Sequence, residues 1–211
     1  MPVTKQFMRA TYFAFALVAL LAVGAASSVA PAQTSPFQSS SNPDRTITIN
    51  GSINDFIADK VIAQLKTMDR ESNEEIEIVV TSLGGSVYSG LRIIGTMESI
   101  NSPVKTVCEG YCMSMAAVIV AAGEPGRRYA TPYTTFLLHQ VSSATQGTLE
   151  SMKNDLREVE RLQTLMTNML VRYTGLSTYH LETIMSFDNF MSSEKALDLH
   201  LIDRISSKQD H

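Results

Sequence analysis

Hydrophobic and polar positions follow two different periods along the chain, and their succession predicts strands and helices in turn. The stretches "RTITIN" (45–50) and "EIEIVVTS" (75–82) alternate apolar and polar residues as half-buried strands do. Between them, "NDFIADKVIAQLKTMD" (54–69) repeats apolar residues at helical spacing, which predicts an amphipathic helix. The folded part of the chain is therefore expected to begin with a strand, a helix and a second strand.

The remaining segments continue this succession. They predict a second helix at 87–97, a third strand in "PVKTVCE" (103–109), a buried helix in "SMAAVIVAAG" (114–123) and a strand in "TTFLLHQ" (134–140). A long helix from about Thr148 to Tyr173 follows, and two short helices on either side of "FDNFMSS" (187–193) close the chain. Strands that alternate with helices predict an α/β fold with right-handed crossovers.

The first 32 residues have a different pattern, typical of an export signal. Lys5 and Arg9 precede the apolar run "YFAFALVALLAV", and Ala30-Pro31-Ala32 offers small residues at a cleavage site. We expect cleavage after Ala32 and an exported protein, periplasmic or secreted; the alternative is an uncleaved membrane anchor. The polar stretch 33–44 is expected to be a tether, and 45–208 a single folded domain.

Composition excludes some functions. The chain has 211 residues, 44% of them hydrophobic, a formal net charge of −4 and no tryptophan, which suits one globular domain and gives no basic surface for nucleic acid. The most basic cluster, Arg127-Arg128, is expected to be a solvated turn. The two cysteines, Cys108 and Cys112, form one disulfide or stay free, and the sequence leaves both open.

Candidate chemistry gathers where predicted strands end. Ser114 opens the buried helix, where a hydroxyl ordinarily caps the helix N-terminus. His139 ends the strand "TTFLL", and Asp188 lies in a loop before the last helix. A hydroxyl, an imidazole and a carboxylate on separate elements are the parts of a nucleophile, its base and the group that orients the base. The Gly84-Gly85 turn is suited to present backbone N–H groups to a developing oxyanion.

Several motifs, in one order and at fixed spacing, resemble the proteolytic subunit of the caseinolytic Clp protease, a family of the crotonase-like superfamily. "SLGGSVYSG" resembles its Ser-Pro-Gly-Gly-Ser-Val turn, and "CMSMAA" its Ala-Ser-Met-Gly-Ala nucleophile segment. "AAGEPGRRYATPYTTFLLHQ" and "DNFMSSEKALDLHLID" are similar to its histidine and aspartate segments, and "QG" at 146–147 to its handle. The resemblance covers about residues 45–206.

The resemblance implies a serine endopeptidase that acts through an acyl-enzyme on peptides or unfolded chains, with no metal and no cofactor. In this reading Ser114 is the nucleophile, His139 the base and Asp188 its partner, while the N–H groups of Gly85 and Met115 form the oxyanion hole. The implied fold is a spiral of repeated β-α-β units. The long helix from Thr148 would be the handle that mediates contacts in a homo-oligomer.

Some residues differ from the family pattern, and these differences imply that the ATPase partner of the family no longer docks. Cytosolic members receive chains from an ATPase ring that docks in a partly aromatic pocket, whose positions here align with Glu77, Val79 and Ser99. Docking of a Clp ATPase is therefore expected to be lost, in agreement with export. Phe187 stands where the family usually carries an arginine that pairs across rings, so the ring size is open. A Cys108–Cys112 disulfide would brace the turn that presents Ser114.

Three other functions remain as alternatives to a serine peptidase. A non-catalytic oligomeric binding module would keep the fold and lose the chemistry. A crotonase-like acyl-thioester enzyme would use the oxyanion hole of Gly85 but gives no role to Ser114 and His139 together. A serine–lysine peptidase would take Lys153 as its base, although the intact "LLHQ" segment argues against it.

Overall fold

A seven-stranded sheet organises residues 43–206, the part of the chain that this computed structural model describes. The strands are β1 (Thr46–Asn50), β2 (Ile76–Ser82), β3 (Val104–Met113), β4 (Arg128–Ala130), β5 (Thr135–Leu138), β6 (Asn189–Ser192) and β7 (Arg204–Ile205). The helices are α1 (Asp55–Glu71), α2 (Val87–Met97), α3 (Met115–Ala121), α4 (Leu149–Thr174), α5 (Thr178–Met185) and α6 (Ser193–Asp198). The predicted export signal, and all but the end of the predicted tether, lie outside the described residues.

The sheet is parallel over most of its width. Its strands run in the order β1-β2-β3-β4-β7, and β5 pairs with the second half of β3. Only β6 is antiparallel, to β5. The helices α1, α2 and α3 each lead from one strand to a parallel strand, so the carboxyl ends of β2, β3 and β5 meet at one edge. The α/β fold class predicted from the succession of periods is confirmed.

Helix α3 lies at the centre of the core. All seven of its residues are buried, which agrees with its unbroken apolar sequence. The strand residues Ile47, Ile78 and Phe136 are completely buried in the same cluster. Because α3 is enclosed on all sides, its first residue and the preceding Ser114 are held by packing and have little freedom to move.

The long helix α4 is only half enclosed. Its second half buries Leu162, Met166 and Leu170, which follow one another at helical spacing. Near its first turns, however, Met152 and Leu156 are exposed, although they continue the same apolar side. The described part of the chain thus leaves the first half of this apolar stripe uncovered.

Two segments differ from the sequence interpretation. Arg128 is not in a solvated turn: it belongs to β4, its side chain is 7% exposed, and it pairs with Asp203 at 2.6 Å. The tertiary partner lies 75 residues away, so the local sequence contains no sign of it. The segment 187–193 also contains a strand, β6, which the sequence analysis took for a loop.

Membrane-spanning helices are not found among residues 43–206, since none of the helices there combines the necessary length with the necessary apolar character.

Candidate active site

Ser114 occupies a sharp turn between β3 and α3. Its backbone has φ 53° and ψ −125°, a positive φ that serine rarely adopts. The turn is fixed from the strand side, because the Ser114 N–H donates to the Leu137 carbonyl of β5 at 2.8 Å. It is fixed from the other side by the buried helix α3. A strained residue held by its surroundings in this way is typical of functional sites.

The side chain of Ser114 does not cap α3. Although Ser114 is the N-cap residue, its hydroxyl accepts no hydrogen bond from the first turn of the helix. Instead, its Oγ lies 2.8 Å from Nε2 of His139. The capping role that a serine at a helix start ordinarily has is therefore wrong for this residue.

Pairing of β5 with β6 brings His139 and Asp188 together. Leu138 lies opposite Asn189 in this antiparallel pair, so the next residue of one strand faces the preceding residue of the other. The His139 Nδ1 and Asp188 Oδ1 atoms are 3.3 Å apart. The carboxylate is largely exposed, with 68% of the side chain accessible, whereas the imidazole is 27% exposed. A hydroxyl, an imidazole and a carboxylate thus form one continuous chain of contacts.

Gly85 and Met115 line the same pocket as Ser114. The Gly84-Gly85 turn follows β2 and is tied to Ile53, whose N–H donates to the Gly84 carbonyl at 2.9 Å and whose carbonyl accepts from Ser86 at 2.8 Å. A Cβ on Gly84 would lie 2.8 Å from the Ser114 Cβ and 3.2 Å from the Met115 nitrogen, so this turn touches the serine turn. The N–H groups of Gly85 and Met115 have no acceptor among the described residues.

Comparison with known proteins agrees with this geometry. The model of the Clp protease family matches residues 33–209. The chain is also 36% identical over 169 residues to the ATP-dependent Clp protease proteolytic subunits of two strains of Dehalococcoides mccartyi, which covers 80% of this chain and 84% of each relative. The chain belongs to the Clp protease family. This membership supports a protease and confirms the family resemblance of the sequence motifs.

A partly apolar pocket adjoins the serine of this Clp protease family member. The cavity, of about 60 Å³, is bounded by Ser114, His139 and Gly85 at its polar end. The apolar part of its lining consists of Val87, Met115, Val118, Leu138, Val141, Met166, Leu170 and Met185. The site thus provides room for an apolar side chain beside the nucleophile candidate.

A second, larger cleft of about 580 Å³ lies elsewhere on the family fold. It is lined by the end of α2, the start of β3 and the end of α4, and its polar groups include Asn101, Arg172 and Glu98. None of its lining residues belongs to the arrangement around Ser114. We therefore place the candidate site at the smaller pocket, where the chemically suited groups are.

Cys108 and Cys112 are joined by a disulfide with a Cα–Cα distance of 6.0 Å. Both residues are completely buried in β3, two to six residues before Ser114. The bond closes a short loop that contains Glu109, Gly110 and Tyr111. It therefore lies in the strand that leads into the serine turn.

The serine–lysine alternative does not fit the structure. Lys153 lies on the exposed first half of α4 and pairs with Glu150 at 2.9 Å. The hydrogen-bonding partner of the Ser114 hydroxyl is His139. A base other than the histidine is therefore not needed to explain the geometry.

The sequence analysis did not single out Gln163, which lines the pocket. Its Oε1 accepts a hydrogen bond from the Val141 N–H at 2.8 Å, and its Nε2 donates to Thr167 at 3.3 Å. The bond anchors the segment that follows His139 to α4. Because the partner is a backbone group in a loop, no pattern in the sequence marks this glutamine.

Within residues 43–206, His, Cys, Asp and Glu side chains do not gather in groups of three or more that could hold a metal ion.

Proposed function

We propose that this protein is a serine endopeptidase in which Ser114 is the nucleophile, His139 the general base and Asp188 the group that orients the base. The observation that carries the proposal is the 2.8 Å contact between the Ser114 Oγ and the His139 Nε2, made by a serine that has no capping role. Membership of the Clp protease family supports the same reaction class.

The geometry supports an acyl-enzyme mechanism. The Ser114 Oγ attacks the carbonyl carbon of the peptide bond while its proton passes to the His139 Nε2. Asp188, whose Oδ1 lies 3.3 Å from the Nδ1 atom of His139, stabilises the imidazolium that forms. The imidazolium then gives its proton to the leaving amine. In the second half, His139 takes a proton from water, and the resulting hydroxide releases the acyl group from Ser114.

The N–H groups of Gly85 and Met115 are proposed as the oxyanion hole. Both lack an acceptor in the described residues, and they flank the contact between the glycine turn and the serine turn. Donors of this kind stabilise the negative charge on the tetrahedral intermediate, and removal of one typically costs about 100- to 1,000-fold in kcat.

Substrates are proposed to be peptides or loosely folded chains, delivered without an ATPase partner. At the position that the resemblance assigns to the docking pocket, Glu77 forms an ion pair with Lys105 at 2.7 Å, with side chains only 15% and 8% exposed. Lys105 also lies over the ring of Tyr129, 5.1 Å from its centroid. A buried, paired charge in this place is unsuited to an apolar docking loop, because docking would have to displace or desolvate it further.

Export, in periplasmic or secreted form, and assembly into a homo-oligomer complete the proposal. The export signal predicted at 1–32 supports the first, and the uncovered apolar residues Met152 and Leu156 on α4 support the second. Amino-terminal sequencing of the protein from a fractionated cell tests the location, with Gln33 expected as the first residue.

The experiment that tests the proposed chemistry compares two serine variants. Ser114→Ala is expected to abolish cleavage of a fluorogenic peptide while its far-UV circular dichroism remains that of the wild type. Ser52→Ala, in an exposed loop position, is the matched control and should retain full activity. Cleavage that persists at the wild-type rate in the Ser114 variant contradicts the assignment.

A further inference from the structure

Strand β3 changes its neighbour in the middle. Residues 106–108 pair with β4, whereas residues 111–113 pair with β5. The Cys108–Cys112 disulfide spans this point of change, with one cysteine in each half. The bond therefore connects the part of β3 that belongs to the centre of the sheet with the part that leads into Ser114.

The same segment contains extra residues relative to β2. Val80 lies opposite Cys108, and Ser82 lies opposite Cys112, so three residues of β3 face the single residue Thr81. The excess chain forms a bulge in which Gly110 has φ 70° and both Glu109 and Gly110 are exposed. A bulge of this length is not held by regular ladder hydrogen bonds, and the disulfide closes its base.

The second half of β3 is bonded to β5 along its length, from Tyr111 to Met113. The Ser114 N–H is bonded to the Leu137 carbonyl, two residues before His139. Serine and histidine are therefore fixed to each other whatever the state of the bulge. Gly85 follows β2, and within the described sheet Ser82 is the one residue of β2 that pairs with the second half of β3, at Cys112 itself. The distance between the serine and the Gly85 N–H consequently depends on where Cys112 is held, and the disulfide ties Cys112 across the bulge to Cys108.

We propose that the Cys108–Cys112 disulfide is a positioning element that aligns Ser114 with the Gly85 N–H, and that the site becomes active only when the chain folds under oxidising conditions. The inference rests on the proposed peptidase function and adds its dependence on redox state. In the forming step, two cysteine thiols give two electrons to a small-molecule disulfide. One sulfur–sulfur bond forms, one breaks, and the two protons leave on the two released thiols.

The redox state of Cys108 and Cys112 is fixed when the chain folds. Both cysteines are completely buried in the folded protein, where a thiol or phosphine reductant has no direct access to the sulfurs. Buried cysteines of this kind are chemically inert in the native state. The environment in which the chain folds therefore determines whether the nucleophile is aligned.

The test compares full-length protein refolded in a glutathione buffer that is mainly oxidised with protein refolded and kept in excess dithiothreitol. The rate at which a fluorophosphonate labels Ser114 is measured, together with kcat and KM on a peptide. The reduced sample is expected to have kcat and the labelling rate lowered by about 10- to 100-fold, with KM changed less than twofold. The double variant C108A/C112A should match the reduced sample and should not respond to the refolding buffer.

Each contrary result has a distinct meaning. Equal kcat and labelling in the two samples, or full kcat in C108A/C112A, overturns this inference and leaves the proposed function intact. A reduced sample without native circular dichroism also overturns it, since the bond would then serve stability and not alignment. An oxidised, folded sample that fails to react overturns the proposed function, and this inference with it.

Discussion

Ser114 and Leu137 are joined by a backbone hydrogen bond of 2.8 Å that fastens the nucleophile candidate to the strand that carries His139. This bond explains why two residues 25 positions apart in sequence keep a 2.8 Å side-chain contact. The antiparallel neighbour β6 then adds Asp188 to the same strand end. The three side chains are therefore assembled by backbone pairing around β5, and changes to this pairing should disturb all of them.

Asp188→Asn is expected to lower kcat/KM by about 100- to 10,000-fold. An amide at this position no longer stabilises the imidazolium and permits the wrong tautomer of His139, whose Nδ1 now faces the carboxylate at 3.3 Å. Peptide hydrolysis measured at several substrate concentrations checks this. Asp198→Asn, an exposed aspartate at the end of α6, is the control and should behave as wild type. An unchanged kcat/KM in the Asp188 variant would remove the aspartate from the mechanism.

Gly84→Ala is expected to abolish activity and to lower stability by about 1–3 kcal/mol. The glycine has φ 92°, and a Cβ there would lie 2.7 Å from the Met113 carbonyl and 2.8 Å from the Ser114 Cβ, so the serine turn must shift. Gly95→Ala is the matched control, because a Cβ there meets nothing within 4 Å in helix α2. It should raise stability by about 0.5–1 kcal/mol and leave the rate unchanged. Chemical denaturation and peptide hydrolysis of both variants check the pair.

Asp203→Asn is expected to lower the free energy of unfolding by about 3 kcal/mol, because it leaves the guanidinium of Arg128 without its anionic partner in a site where that side chain is 7% exposed. Urea denaturation near pH 7 measures the loss. The neighbouring hydrogen bonds from Arg128 to the carbonyls of Ala121 and Tyr173 remain in the variant. A loss below about 0.5 kcal/mol would show that the ion pair contributes no more than an exposed one.

Because of Asp203, the folded protein is also expected to lose stability in acid. Burial alone would raise the pKa of Asp203, but the hydrogen bonds and the charge of Arg128 hold this pKa below its ordinary value. A carboxylate with a lowered folded-state pKa contributes stability above its unfolded-state pKa of about 4, and this is lost as the pH falls through the folded-state value. Urea midpoints from pH 6 downward should decline more steeply below about pH 4 in the wild type than in Asp203→Asn. Parallel declines would contradict this.

Peptides with an apolar residue before the cleaved bond should be the better substrates. The pocket beside Ser114 is lined by apolar side chains such as Val118, Met166 and Met185. A fluorogenic peptide ending in leucine is therefore expected to have a kcat/KM at least about 10-fold higher than the same peptide ending in aspartate, since the charged side chain would have to be desolvated. Equal values for the two peptides would show that the pocket does not receive this side chain.

Much of the fold could be predicted from the sequence, because long amphipathic segments carry a clear period. Helices α1, α2 and α4 and strand β2 are examples. Strand β6 could not be predicted from the sequence, since its four residues form a strand through pairing with β5 and have no clear pattern of their own. The expectation that Arg128 lies in a solvated turn was wrong for the same reason, because its partner Asp203 is close to it only in the folded chain.

The candidate site, too, could be predicted from the sequence only in part. Position in the sequence suggested the three polar residues, yet only the structure shows that the Ser114 hydroxyl bonds to His139 and does not cap α3. The Gln163 bond to Val141 joins a side chain to a loop N–H, an interaction that no spacing marks. The sequence could likewise not decide between a disulfide and two thiols, because the answer depends on how the bulge in β3 brings Cys108 and Cys112 together.

Identification of the residue that reacts with a fluorophosphonate is the decisive test of Ser114 as the nucleophile. Folded wild-type protein is treated with the reagent, digested, and analysed by mass spectrometry, with His139→Ala as a companion. The proposed mechanism predicts one adduct per chain, on Ser114, and little or none in the His139 variant. A folded protein that carries no adduct, or one that is modified on another residue, would contradict it.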